Sequence, residues 1–324
     1  MCTAITLNTD GFYFGRNLDL DYSFDEKVAI TPRRYQFDLK NGDIFYNDYA
    51  LIGMATVIDD YPLYAEAMNE KGLAMAGLNY PHHAMYPEPK GDKYCLAPYE
   101  FIPFVLGKAS SLKEARALLE DILITNIPFK KELPITVLHW IIADKDGALV
   151  VEHYEDGLHI YDDPYGVLTN NPSFPYHLEN IKNYMHLSAS NAKDRFTNKE
   201  LLEPYAEGMG AIGLPGDYSS ASRFIKAAFG KLNASTDGTG SSSVTEFFHI
   251  LDSVAMIRGS VKVADGRDDI TTYSCCMDVM KGRYYYKTYT NNQISVVDMY
   301  KYDLDANKLK VYELQREQAI YHHD

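Results

Sequence analysis

Residues 1–19 read Met1-Cys2-Thr3-Ala4-Ile5-Thr6-Leu7-Asn8-Thr9-Asp10-Gly11-Phe12-Tyr13-Phe14-Gly15-Arg16-Asn17-Leu18-Asp19. Thr3 to Leu7 alternate polar and apolar side chains, which suits a strand, and Asn8-Thr9-Asp10-Gly11 is a hairpin turn signal. Phe12-Tyr13-Phe14 is then the returning strand, and it carries Gly15 to Asp19 back beside the chain start. Removal of Met1, which the small Cys side chain permits, leaves a thiol and a free α-amine on Cys2. An α-amine with a pKa of roughly 7.7–8.0 can take a proton from a thiol near 8.5, so nucleophile and base share one residue. The hairpin register brings Arg16 and Asp19 towards Cys2. A guanidinium there favours thiolate, and a carboxylate orients the amine. By position alone the same residues also fit an inert terminal Cys and a surface Arg–Asp pair.

Other stretches decide between these readings. Met-Cys-Thr-Ala-Ile and Phe-Gly-Arg-Asn-Leu-Asp are joined by Met68-Asn69-Glu70-Lys71-Gly72-Leu73 and Ala76-Gly77-Leu78-Asn79-Tyr80-Pro81. Leu168-Thr169-Asn170-Asn171-Pro172, Gly213-Leu214-Pro215-Gly216-Asp217 and Ser222-Arg223-Phe224 follow. In this order the blocks resemble the choloylglycine hydrolase family, which contains bile salt hydrolases and penicillin V acylases among the N-terminal nucleophile hydrolases. The resemblance implies a four-layer αββα sandwich, an α+β fold. It implies Cys2 as nucleophile, Asp19 positioning its amine, Arg16 and Arg223 tuning the thiolate, and the side chains of Asn79 and Asn170 as oxyanion donors. At the position of Asn79, bile salt hydrolases usually carry Asn and penicillin V acylases often Tyr. The choice of Asn170 over its neighbour Asn171 rests on the motif alone.

Composition sets bounds independently of the resemblance. The 324 residues contain no Pro/Ser/Gly-rich linker, repeat or long charge run, so residues 1–324 are expected to form one domain. With 46% hydrophobic and 23% charged residues the chain can bury a full core. A net charge of −14 argues against nucleic acid and against anionic membrane surfaces as partners. It also means that an anionic substrate must be attracted locally, near groups such as Arg16 and Arg223. Cys2, Cys95, Cys275 and Cys276 contain no Cys-x-x-Cys pair, so neither disulfides nor a zinc site is expected. No signal peptide or membrane-length apolar run is found, which points to the cytoplasm. The adjacent pairs His82-His83 and His322-His323 read as solvated, and no metal or other cofactor is indicated.

Along the chain, Val28-Ala29-Ile30 and Leu51 to Ala55 read as strand cores, whereas Tyr22, Phe24, Tyr61 and Tyr64, among Asp and Pro, read as loop residues. Pro98 to Ile122 reads as helical, with a capping box at Ser111-Leu112-Lys113-Glu114. Asn126 to Pro134 reads as a loop, and His139 to Tyr161 as an antiparallel meander. Leu18, Tyr22, Phe24, Tyr64, Phe129, Ile135 and Leu138 are candidate walls of an apolar substrate pocket, partly by position in the family; each also fits ordinary packing. The polar, Gly-rich stretch 187–216 is the length of a functional or interaction arm, and the resemblance implies a homotetramer built with it. A helix begins at Arg223 with Phe224, Ala227, Ala228 and Leu232 as its apolar stripe, and another is capped at Ser243-Val244-Thr245-Glu246. Ile270 to Met299 reads as three strands with turns at Lys281-Gly282 and Asn291-Asn292, and Tyr284-Tyr285-Tyr286 as sheet packing.

The activity implied is hydrolysis of the amide that joins a bile acid to glycine or taurine. Penicillin V hydrolysis at the same centre is the nearest alternative. A non-catalytic bile- or sterol-binding protein, which needs no free N-terminus, is an alternative of another class.

Overall fold

A computed structural model describes residues 1–91, 93–132, 134–197, 199 and 201–323. The expected hairpin opens the chain as β1 (Cys2–Asn8) and β2 (Phe12–Leu20). Next come β3 (Lys27–Thr31), β4 (Gln36–Asp38), β5 (Ile44–Tyr46), β6 (Leu51–Ile58), β7 (Tyr61–Asn69), β8 (Ala74–Asn79) and β9 (Tyr94–Leu96). Helices α1 (Phe101–Lys108) and α2 (Leu112–Leu119) precede β10 (Ile122–Ile124) and the meander β11 (Leu138–Asp144), β12 (Gly147–Tyr154) and β13 (Gly157–Asp162). The short β14 (Val167–Leu168) leads to α3 (Phe174–Asn180), α4 (Ser220–Asn233) and α5 (Gly240–Asp252). Strands β15 (Ile270–Asp278), β16 (Arg283–Thr288), β17 (Asn291–Asp298) and β18 (Lys310–Tyr312) complete the order.

Two antiparallel sheets dominate. One has the order β14-β1-β2-β15-β16-β17 and the other β13-β12-β11-β8-β7-β6-β3-β18. They meet where β1 and β2 touch β8. Helices α4 and α5 pack on the first sheet against β1, β2, β14 and β15, and α1 and α2 on the second against β6, β7, β8, β11 and β12. This is the αββα sandwich. One core contains Ile5, Phe14, Met54, Met68, Ile141 and Tyr273 from the two sheets, with Phe224 and Phe247 from α4 and α5. A second, under α1 and α2, contains Met75, Phe101, Val105 and Trp140. Because β1 is an inner strand, its residues Cys2 to Leu7 are buried on both faces, the two threonines included.

Several expectations shift for physical reasons. The stretch from Pro98 to Ile122 is two helices: the backbone turns extended at Ala109, which ends the first, and Ser111 caps the next, accepting from Glu114 N at 3.3 Å. The Glu114 carboxylate turns to Ser110 N and Oγ, each at 2.7 Å, so the capping box is not reciprocal. Ile122 begins a strand parallel to β9. Tyr61 and Tyr64 lie in β7 rather than in a loop; Pro62 is tolerated because β7 pairs with β8 only over Glu66–Met68. Helix α5 starts four residues early, capped by Thr239 instead of Ser243, and the Thr239 hydroxyl accepts from Ser242 N. Leu232 is exposed, so the α4 stripe ends at Ala228. The turn before β17 is at Tyr289-Thr290, with Asn291 and Asn292 already in the strand. His83 is held by the Asn171 amide at 2.8 Å, while its neighbour His82 is exposed. Stretch 187–216 has no strand or α-helix among its described residues and exposes Phe196, Leu201 and Tyr205; its positions 198 and 200 lie outside those residues, as do 133 in the loop after Asn126 and 324.

Gly15 is where β2 meets β15 most closely: a Cβ added there would lie 2.0 Å from Cys275 O, with no flexible side chain to yield. Gly15→Ala is expected to destabilise the fold by roughly 1–3 kcal/mol. Gly230→Ala, whose new Cβ meets nothing nearer than Ile250 at 3.7 Å, should stabilise α4 by roughly 0.5–1 kcal/mol. Urea unfolding of the two variants checks both signs.

Candidate active site

Cys2 is the first residue of β1 and pairs with Leu18. Its backbone N–H donates to Asn170 Oδ1 at 2.8 Å. Here that nitrogen is an amide, since Met1 precedes it. The Met1 amine donates to Asp19 O at 2.6 Å and to Asp269 Oδ2 at 3.2 Å.

Arg16 and Arg223 approach from opposite elements, and both are buried. Arg16, on β2, donates to the carbonyls of Gly77 and, at 3.3 Å, Asn17, and its Nη1 lies 3.8 Å from Glu66 Oε2. Burial works against its charge, but Cys2, Tyr273 and Glu66 outweigh this and raise its pKa. Arg223, near the start of α4, donates to Cys2 O, to Thr3 Oγ1 at 2.6 Å and to Asn170 Oδ1 at 2.8 Å. Burial lowers its pKa, opposed by Asp19, Cys2 and Asp269. Its contact is with the backbone of Cys2 and the amide of Asn170, so it fixes the frame around the thiol.

Asp19 is buried and accepts from Thr271 Oγ1 at 2.6 Å through Oδ1, while Oδ2 has no hydrogen-bond partner among the described residues. Burial raises its pKa, opposed chiefly by Arg223, the amino terminus and Thr271.

Asn170 follows β14. Its backbone N donates to Ser220 Oγ at 2.8 Å and its Nδ2 to Asn79 O at 2.7 Å. With Oδ1 taken by Cys2 N and Arg223, the amide orientation is fixed, and one Nδ2 hydrogen remains free. Asn171 turns elsewhere, giving its amide to Pro81 O at 2.7 Å and to His83. Asn79 ends β8, and its side chain lines the same cavity as Cys2.

That cavity has a volume of about 510 Å³, within the roughly 300–1,000 Å³ of ligand pockets. Cys2, Arg16 and Asn79 line it together with Leu18, Tyr22, Phe24, Tyr64, Phe129, Ile135 and Leu138, so every pocket-wall candidate lies on it. Tyr22 and Phe24 come from the loop after β2, Tyr64 from β7, and Phe129 and Ile135 from the segment before β11. Sequence reading missed Leu63, Tyr99 and Ile127 on the same wall, and Glu66 and Asp269 beside Arg16 and the amino terminus. Glu66 had a local signal: it is the lone carboxylate in Ala65-Glu66-Ala67-Met68, an otherwise apolar strand segment. Among the described residues no group of three or more His, Cys, Asp or Glu is arranged to hold a metal ion, and no helix is long and apolar enough to cross a membrane.

A cysteine at the start of an inner strand of an αββα sandwich, its backbone held by the Asn170 amide, defines an N-terminal nucleophile hydrolase fold. The profile of the linear amide C–N hydrolases, choloylglycine hydrolase family, matches residues 2–312. The bile salt hydrolase/transferase of Lactiplantibacillus plantarum is 46% identical over 321 residues, covering 99% of each chain. The bile salt hydrolase/transferase of Clostridium perfringens is 40% identical, again over 99% of each. The crystal structure of a mutant conjugated bile acid hydrolase from C. perfringens superposes with a TM-score of 0.93 at 39% identity, covering 100% of both chains. A penicillin V acylase from Agrobacterium tumefaciens, at TM-score 0.78 and 19% identity over 98% of this chain and 94% of its own, shares the fold. The chain belongs to the choloylglycine hydrolase family, and is an amide hydrolase.

The carbonyl of Asn170 accepts from His177 Nε2 at 3.0 Å. Burial pushes this imidazole down to about 4 from its ordinary 6.5. The unfolded chain therefore binds the proton first, so stability is complete above pH 6.5 and falls as the pH drops towards 4. The loss should reach roughly 2–3 kcal/mol near pH 4.5. Urea unfolding at about pH 7.5 and 4.5 reads it, and His177→Gln, which keeps a donor for Asn170, should remove that share of the pH dependence.

Proposed function

We propose that this protein hydrolyses glycine- or taurine-conjugated bile salts, using Cys2 as the nucleophile once Met1 is gone. The observation that carries the reading is a cavity with predominantly apolar walls and a polar end formed by Cys2, Arg16 and Asn79. A conjugated bile salt has the matching form: a rigid apolar body whose single amide lies near its charged end. Residues 1–324 act as one domain, working in the cytoplasm. The apolar side chains exposed along 187–216 suit an arm that joins copies of the chain into a homotetramer.

In this reading the Cys2 α-amine, held by Asp19 Oδ2, removes the thiol proton. Sγ bonds to the amide carbon, and the carbonyl oxygen takes up the electron pair between the side-chain amides of Asn79 and Asn170. The protonated amine then gives its proton to the leaving nitrogen as the C–N bond breaks, releasing glycine or taurine. Water, deprotonated by the same amine, adds to the thioester; the C–S bond breaks and the bile acid leaves. Arg16 supplies the positive field that favours thiolate. Arg223 holds Cys2 O and Asn170 Oδ1 in one frame.

Intact mass of the purified protein, taken with amino-acid release from glycocholate and taurocholate, tests the reading. Loss of the Met1 mass with release of glycine or taurine is expected, and Cys2→Ser should lower kcat by roughly 10³-fold or more with the fold intact. Asn170→Ala should cost about 10²–10³ in kcat. A processed chain inactive on bile salts but active on penicillin V would replace the substrate assignment. Full turnover with Met1 retained would remove the α-amine from the mechanism.

A further inference from the structure

The turn carrying Thr169 and Asn170 presents two consecutive carbonyls to two buried imidazoles. His139 Nε2 lies 2.9 Å from Thr169 O, and His177 Nε2 3.0 Å from Asn170 O. A ring nitrogen facing a carbonyl must carry a hydrogen. For His177 the neutral tautomer suffices, since its Nδ1 has no partner among the described residues and the ring stacks on Phe224 at 4.8 Å. His139 is different. Its Nδ1 lies 3.1 Å from Glu152 Oε1, so both nitrogens face acceptors. Glu152 in turn accepts from Phe174 N at 2.9 Å and from Tyr154 Oη, an environment that suits a carboxylate. Burial opposes its charge, but His139, Tyr154 and Phe174 outweigh this and lower its pKa. Glu152 and His139 are therefore a hydrogen-bonded pair with no solvent exposure.

The pair is wired to both asparagines. Through Thr169 O it holds the turn of Asn170. The His139 ring stacks on Tyr80 at 4.2 Å and 5°, and Tyr80 directly follows Asn79. Tyr80 Oη bonds Tyr154 Oη at 2.9 Å, and Tyr154 returns to Glu152, which closes the circuit. None of these four side chains lines the cavity. A buried polar pair contributes little net stability, since an apolar replacement of equal volume is often neutral or better. Its use here is geometric.

We propose that Glu152 and His139 are positioning residues that set the spacing of Asn79 and Asn170, and so build the oxyanion site without touching substrate. The proposal rests on the reading of those two asparagines as oxyanion donors. Glu152→Gln puts an amide in place of the carboxylate that bonds His139, Phe174 N and Tyr154 Oη together. His139→Phe keeps the stack on Tyr80 and loses both hydrogen bonds.

The test compares two reactions of Cys2 in the mature enzyme. Acylation by p-nitrophenyl acetate passes through an oxyanion whatever the natural amide; alkylation by iodoacetamide does not. Both variants should acylate roughly 10–100-fold more slowly, the scale of a displacement near 1 Å, while alkylation of Cys2 stays within about twofold. On the natural amide the loss should fall on kcat, with KM little changed. Alkylation also counts correctly folded sites, so a parallel fall in both reactions would mark mere loss of structure and overturn the proposal. Acylation at the wild-type rate would overturn it too. Asn170→Ala in the same assay separates the levels: if it is slow while Glu152→Gln is fast, only the positioning inference fails; if Asn170→Ala is itself fast, the oxyanion reading fails with it.

Discussion

The structure depends on burying the start of a polypeptide inside a sandwich. A chain end is polar and mobile, and a buried backbone group without a partner costs roughly 1–3 kcal/mol. Here Cys2 N finds Asn170 Oδ1, Cys2 O finds Arg223, and Asp19 exchanges backbone hydrogen bonds with Met1. Those partners come from β2, from the turn after β14 and from α4, so satisfying the terminus locks three distant elements around the thiol. Arg223 satisfies two of the requirements at once, because one guanidinium offers five donors in a rigid fork.

The opening hairpin was legible because its cues are local: alternation, a four-residue turn signal and the return of apolar residues. The meander from His139 to Tyr161 was readable for the same reason. Asn170 and Arg223 were not legible from local pattern, since an Asn before Pro172 and an Arg beside Phe224 each have ordinary explanations; the ordered blocks of resemblance singled them out. The walls Phe129, Ile135 and Leu138 rested partly on that resemblance as well. Tyr64 was placed on the cavity but assigned to a loop, because Pro62 suppresses the strand pattern where β7 has only one partner. Glu66, His139 and Glu152 escaped notice because their meaning lies in partners far along the chain. Glu66 meets Arg16, Tyr273 and Tyr284, and His139 meets Thr169.

Buried charge gathers around the start of β1 and is sparse along the cavity wall. Arg16, Glu66, Asp19 and Arg223 lie within the protein, while much of the cavity wall is aliphatic or aromatic. In a low-dielectric setting such charges act over longer distances than they would in water. The overall charge of −14 is screened within about 8–10 Å at physiological salt. An anionic ligand inside the cavity is therefore governed by the few guanidinium groups it meets.

Strand β15 pairs with β2 along nearly its whole length, and Thr271 reaches Asp19 across 252 residues of sequence. The nucleophile's hairpin is thus made first on the ribosome, yet its central partner emerges only after about four-fifths of the chain. Until then Asp19 lacks Thr271 and β2 is an open edge, able to pair with other strands. Throughout this interval the surroundings of Asp19 are incomplete. A chain truncated before β15 therefore lacks both the partner that covers β2 and the hydroxyl that holds the Asp19 carboxylate.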